Sequence, residues 1–190
     1  MKMKMMWLLP MLVLVACATN QYTHGIPNLV QVRLDVWRSG QPTTLEQWQY
    51  LYDLGIRHSV KLDFDTEGPD NLARRAGIEV HPVSIEPRTN ADGLIDILVD
   101  IFERPAADRI AEARQLILRI RDAHGTEGGW LVHCKNGHDR TGLIVGEIRV
   151  LVDGWDKKKA YDEMIARGFH PELLGLLREW HAFEAPHDGE

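Results

Sequence analysis

The chain has 190 residues, enough for one domain with a single substantial core. Apolar residues make up 44% and charged residues 26%, close to globular averages, which excludes an extended low-complexity chain. A formal charge of −6 excludes the broad basic surface that general nucleic-acid binding needs, but leaves room for a cationic cleft.

Residues 1–16 stand apart from the rest. Lys2 and Lys4 precede an apolar run from Met5 to Ala16, interrupted by Pro10, which is a signal-peptide pattern too short for a membrane span. The run ends Leu14-Val15-Ala16-Cys17 and resembles the lipobox of bacterial lipoproteins, where cleavage precedes a cysteine that is then lipidated. That resemblance implies Cys17 as the mature, lipid-bearing N-terminus. Ala18 behind it resembles the outer-membrane sorting pattern, and two lipid groups give stable anchoring. The expected location is the bacterial cell envelope, on an outer membrane and facing the periplasm. Removing Lys2 and Lys4 from the 22 basic residues leaves 20 against 28 acidic ones, a net charge of −8. Cys17 and Cys134 are the two cysteines, so no disulfide is expected and Cys134 is left as a free thiol.

A polar tether is expected over residues 17–28, with the folded domain over 29–190. Alternation over 29–37 predicts a strand. Thr44-Leu-Glu-Gln47 reads as a capping box opening a helix with Leu45, Trp48, Leu51 and Tyr52 on its apolar face and Gly55 as its stop. Residues 58–62 predict a strand, 69–76 a short helix and 79–85 a third strand. Residues 88–105 carry mixed signals. Ile110, Ala113, Ile117 and Ile120 mark a helix over 106–123, with Gly125 beyond its end. Trp130-Leu-Val132 suits a buried strand, 143–152 a buried helix, and 157–167 and 172–183 two amphipathic helices. The pattern predicts an α/β fold: a central, mostly parallel, twisted sheet of about four to five strands flanked by helices. There is no internal repeat.

The chemistry concentrates between the last core strand and the buried helix, in His133-Cys-Lys-Asn-Gly-His-Asp-Arg-Thr-Gly142. A tight loop there can hold a phosphate monoester with backbone N–H groups converging at a helix N-terminus. Gly137 permits a turn with positive φ, and Gly142 allows close packing as the helix begins. Arg140 can offer two phosphate oxygens its planar fork while the Cys134 sulfur approaches phosphorus. A helix N-terminus and a nearby cation also favour the thiolate form of a cysteine, the nucleophilic form. Lys135, Asn136, Gly137, His138, Asp139 and Arg140 form the expected phosphate-binding set. His133 is expected to support the loop by a hydrogen bond, and Thr141 to donate its hydroxyl to the thiolate or assist hydrolysis. The nine histidines form no ligand-spaced cluster with acids or cysteines, so no metal or other cofactor is expected.

This run resembles the signature loop of protein-tyrosine and dual-specificity phosphatases, His-Cys-x-x-Gly-x-x-Arg-Thr-Gly. Trp37-Arg-Ser-Gly-Gln-Pro42, followed by Leu54-Gly-Ile-Arg57, resembles the opening of atypical bacterial, plant and fungal members, and the likeness covers about residues 30–183. The resemblance implies a phosphocysteine intermediate on Cys134, with Arg140 as phosphate clamp and an acid protonating the leaving oxygen. In related enzymes that acid is an Asp some thirty residues before the cysteine, which favours Asp100 over Asp92, Asp96 and Glu103. Asp139 is a rival, since it resembles the acid before Arg in myotubularin-like lipid phosphatases. Lys135 and Asp139 resemble residues in loops that handle inositol phosphates or phosphoinositides, which implies inositol polyphosphates or phosphoinositides as substrates, with Arg88, Arg104 and Arg109 as candidates to line the cleft. A protein-tyrosine or dual-specificity phosphatase is the alternative, and a non-catalytic phospho-ligand-binding lipoprotein a second. Expected partners are a phosphorylated small molecule or phosphoprotein, no nucleic acid, and the membrane through the lipid anchor alone.

Overall fold

The computed structural model describes residues 23–64, 68, 70–85 and 107–184. Among these residues, five strands form one sheet: β1 Val30–Arg33, β2 Val36–Ser39, β3 Ile56–Lys61, β4 Glu79–Pro82 and β5 Gly129–His133. Their order is β1-β2-β5-β3-β4, with β1 antiparallel to β2 and the remaining pairs parallel. The expected single strand over 29–37 is instead a hairpin. Its residues alternate well enough for either arrangement, but the chain turns at Leu34 and Asp35, and Leu34 is left almost fully exposed.

Among the described residues, six helices cover the two faces. α1 Leu45–Asp53 and α2 Asn71–Arg75 lie on one; α3 Ala107–Ala123, α4 Asp139–Leu151, α5 Lys157–Ala166 and α6 Leu174–Ala182 build the other. The capping box of α1 forms as read: the Thr44 hydroxyl accepts from the Gln47 N–H, and the Gln47 side chain accepts from the Thr44 N–H. Strand periodicity assigns the faces of β5. Trp130 and Val132 join the core under α3 and α4, whereas Leu131 joins the core of Trp48, Leu51 and Ile78 beneath α1 and α2. A strand covered on both faces is apolar throughout, which explains the uninterrupted Trp-Leu-Val run.

The folded part begins earlier than expected. Ile26 is buried in the α1-side core and the Pro27 carbonyl accepts a hydrogen bond from the Gly40 N–H, so the segment just before β1 belongs to the domain rather than to a tether. α4 also starts earlier than residue 143, because the polar second half of the signature run is itself its first turn.

Two part-buried ion pairs fasten the helices. Glu147 of α4, fully buried, receives both forks of Arg114 from α3 at 2.8 and 3.0 Å. Arg149 binds Glu163 of α5 in the same bidentate way and donates to the Val32 carbonyl of β1.

Candidate active site

Cys134 follows β5 directly and is 3% exposed, five residues before α4 begins at Asp139. The intervening loop leaves Lys135 and Asn136 exposed, buries Gly137, and half-buries His138, Asp139 and Arg140. His138 occupies the N-cap of α4 without bonding the first turn through its side chain. The first N–H groups of the helix have no intrahelical partner, so they remain available to an anion held in the loop. Arg140 sits in that first turn, six residues after Cys134.

The loop is held from outside by the end of β2 and the segment before β1. Gly137 has φ +75°, and a Cβ there would stand 2.5 Å from the Gly40 nitrogen and the Ser39 carbonyl carbon. Only glycine fits both the backbone angle and the space. Gly40 is constrained in turn, since its Cβ would meet the Lys135 carbonyl oxygen at 3.0 Å. Hydrogen bonds complete the frame: Arg38 Nη2 donates to the Gly137 carbonyl at 2.6 Å, the Gln41 N–H to the Lys135 carbonyl at 3.0 Å, and Asn28 Nδ2 to the Asn136 carbonyl at 2.7 Å. Asn28 Nδ2 also lies 2.7 Å from His138 Nε2.

Arg38 is 3% exposed, and burial brings its guanidinium down to about 10, partly offset by the opposing charges of Glu163 and Cys134. It therefore places a fixed positive charge under the loop, in the field of the Cys134 sulfur. The Trp37–Pro42 resemblance marked this segment as characteristic but gave it no role. Asn28 carried no sequence signal at all, because a polar residue ahead of a first strand reads as tether.

His133 supports the loop less directly than expected. Its Nε2 meets Ser59 Oγ at 2.9 Å and its carbonyl accepts from the Leu62 N–H, so it ties the loop's entry to β3. Nδ1 has no partner among the described residues. Full burial, and then the charge of Lys61, hold the imidazole neutral with its titration lowered to about 3. The Thr141 hydroxyl is likewise buried without a hydrogen-bond partner among the described residues; the expected bond to the Cys134 sulfur is not formed. Asp139 is engaged elsewhere: its Oδ1 accepts from the His170 N–H at 2.8 Å and lies 2.9 Å from His170 Nδ1, fastening the α5–α6 connection to the loop. Arg109 is exposed and pairs with Glu112 on its own helix. Cys17, Arg88, Asp92, Asp96, Asp100, Glu103 and Arg104 lie outside the described residues.

A family model, that of the tyrosine phosphatase family, matches residues 29–162. The chain belongs to the tyrosine phosphatase family. Among relatives in this family, the dual specificity protein phosphatase TpbA of Pseudomonas aeruginosa is 46% identical over 67 residues, 35% of this chain and 31% of TpbA. Inositol diphosphatase DSP2 of Oryza sativa subsp. japonica is 31% identical over 138 residues, 72% of this chain and 59% of that protein. The match thus spans less than two thirds of either relative's length. In fold, the crystal structure of P. aeruginosa TpbA matches with a TM-score of 0.60 at 23% identity, covering 83% of this chain and 86% of that one.

Proposed function

We propose that the protein is a cysteine-dependent phosphomonoester hydrolase acting through a phosphocysteine on inositol polyphosphates or phosphoinositides. The observation that carries the hydrolase reading is the loop itself. It combines a buried sulfur at the end of β5, an uncapped helix N-terminus and a backbone braced by Arg38, Gln41 and Asn28.

In the first step the Cys134 thiolate attacks phosphorus. The S–P bond forms as the P–O bond to the leaving group breaks, and an acid supplies the leaving oxygen with a proton. The loop's N–H groups and Arg140 stabilise the charge spread over the three equatorial oxygens. Water then attacks phosphorus, the S–P bond breaks, and inorganic phosphate leaves with the thiolate restored. Asp100 is proposed as the acid. With Asp139 accepting from His170 rather than facing the loop unpartnered, the acid is better sought upstream.

The substrate reading is supported by two cations, Lys135, exposed on the loop, and Arg167, which lines a cleft of about 240 Å³ beside it. Cations around a phosphate loop suit substrates carrying several phosphates. The similarity to an inositol diphosphatase over 72% of the chain points the same way. Phosphotyrosine is the second reading, favoured by the 46% identity with TpbA, a crystal structure of which is a complex with pTyr.

Purified protein should release phosphate from para-nitrophenyl phosphate, and Cys134→Ser should abolish turnover while preserving the fold. Full activity in that variant would overturn the mechanism. A panel of inositol phosphates, phosphoinositides and phosphotyrosine peptides should give its highest kcat/KM on the inositol compounds; a preference for the peptides would select the second reading. Asp100→Asn should harm inositol phosphates more than para-nitrophenyl phosphate, whose leaving group needs little protonation, and equal negligible effects would remove Asp100 as the acid. Anchoring through Cys17 to the cell envelope is part of this proposal, and an unmodified N-terminus in membrane-extracted protein would reject it.

A further inference from the structure

The sequence spaces no histidines as metal ligands, yet the sheet gathers three donors at one place. β3 and β4 pair in parallel with His58 opposite Glu79 and Val60 opposite His81. His58, Glu79 and His81 therefore point from the same face of the sheet, the one covered by α3, and their ligand atoms all lie within 4.8 Å of one another. β4 is the edge of the sheet, so the cluster opens to solvent on the Glu79 side.

From this geometry we infer that His58, Glu79 and His81 form a binding site for one divalent transition-metal ion, zinc(II), with water as its fourth ligand.

The distances fit that ion. Zinc bound tetrahedrally at about 2.0–2.1 Å from N and O separates its ligand atoms by roughly 3.3–3.4 Å. His58 Nδ1 lies 3.3 Å from His81 Nε2 and 3.3 Å from Glu79 Oε2, while His81 Nε2 lies 3.7 Å from Glu79 Oε1. Small rotations of the exposed Glu79 side chain close the last gap.

The surroundings orient the ligands. His58 Nε2 stands 3.1 Å from the Glu127 carbonyl, which can only accept a hydrogen bond, so Nε2 carries a proton and Nδ1 is the ring nitrogen left to face His81 and Glu79 as a ligand. Both imidazoles lie against the indole of Trp130, at centroid distances of 4.3 Å for His58 and 5.2 Å for His81, with interplanar angles of 20° and 27°. Trp130 is fully buried and fixes the ring planes before any ion arrives. The nearby cation, Arg119, is paired with Glu127 at 2.9 Å, so Glu79 leaves the site with net negative character. Two imidazoles and one carboxylate suit zinc, copper or nickel, and supply too few oxygens for magnesium or calcium.

The site is separate from the phosphate loop. Trp130 precedes Cys134 by four residues of extended chain, about 13 Å at a strand's rise. An ion here would clamp the edge strand β4 to β3 rather than take part in chemistry at the sulfur.

The test uses the full chain without a polyhistidine tag, carrying Cys17→Ser and Cys134→Ser so that no thiolate competes for metal. Titration with zinc chloride followed by calorimetry should give one ion per chain with Kd on the order of micromolar, and magnesium should give no binding. Cobalt(II) should develop the visible absorption of a four-coordinate ion, and zinc should slow amide exchange along β4. Glu79→Gln, at an exposed position, and His81→Gln should each weaken zinc binding by roughly tenfold or more while leaving the apo protein folded. Absence of stoichiometric binding, or binding that neither variant weakens, would overturn the site.

Discussion

The Arg38 guanidinium donates a 2.6 Å hydrogen bond to the Gly137 carbonyl, joining the end of β2 to the middle of the loop between β5 and α4 across 99 positions of sequence. Because Arg38 is 3% exposed, the bond is sheltered from water and its direction is fixed by packing. Arg38→Lys keeps the charge but loses the planar fork that reaches the carbonyl. We expect kcat/KM on para-nitrophenyl phosphate to fall roughly tenfold to a hundredfold, with a parallel weakening of inhibition by inorganic phosphate. Unchanged phosphate inhibition would show that Arg38 does not shape the loop.

Gly137→Ala tests the same frame from the other side. A Cβ at this position meets backbone atoms of Ser39 and Gly40 at 2.5 Å, and φ is +75°. The loop must shift, at a cost on the order of 2 kcal/mol in stability and about a hundredfold in kcat. Thermal melting and initial rates together measure both, and a variant with normal kcat would refute the geometry.

His133 predicts acid lability. Its folded-state titration is lowered to about 3 against 6.5 for an ordinary histidine. A depressed group contributes stability that is present above 6.5 and lost as pH falls toward 3. Within that window this residue alone should reduce unfolding free energy by about 1.4 kcal/mol per pH unit. Urea denaturation from pH 7 to pH 4 measures the slope, and His133→Asn should flatten it. An equally steep slope in the variant would assign acid lability to other groups.

The pair formed by Arg114 and the fully buried Glu147 predicts an opposite pH dependence in a variant. Burial raises the Glu147 carboxyl, and Arg114 opposes that rise. Arg114→Ala leaves a buried carboxylate alone, a change that costs roughly 3–5 kcal/mol for fully buried pairs and about 2 kcal/mol here, since Arg114 is partly exposed. A raised carboxyl contributes stability below its unfolded value and loses it as pH rises through the folded one. The variant's deficit in Tm should therefore be small near pH 4 and full by pH 8, and a constant deficit would argue for lost packing instead.

Asp139 raises the His170 imidazole by hydrogen bond and charge. The pair stabilises below the ordinary histidine range and fades as pH rises through the raised value. Asp139→Asn should return His170 toward an ordinary titration in NMR and lower Tm at pH 6 but not at pH 9. Turnover lost as completely as in Cys134→Ser would instead restore Asp139 as the proton donor.

Much of the molecule was legible locally. The capping box at Thr44 and Gln47, the 3.6-residue apolar spacing of Ile110, Ala113, Ile117 and Ile120, and the Trp-Leu-Val run of β5 each specify an element through short-range chemistry. The signature run from His133 to Gly142 did the same for the site, because strand, glycine turn and helix start all fall within ten consecutive residues. The hairpin at Leu34 was not legible, since alternation continues through a two-residue turn that has neither glycine nor asparagine.

What the sequence determined by itself was the α/β pattern, the place of Cys134 and Arg140 at a strand-to-helix loop, and membership of a recognisable class. Each rests on contacts between residues close together in the chain. Tertiary structure alone decided that Arg38, Gly40, Gln41 and Asn28 hold that loop, that Asp139 is engaged by His170, and that His58 faces Glu79 and His81. These depend on sheet order and strand register, which are chosen by burial of two whole faces at once and leave no mark at any single position.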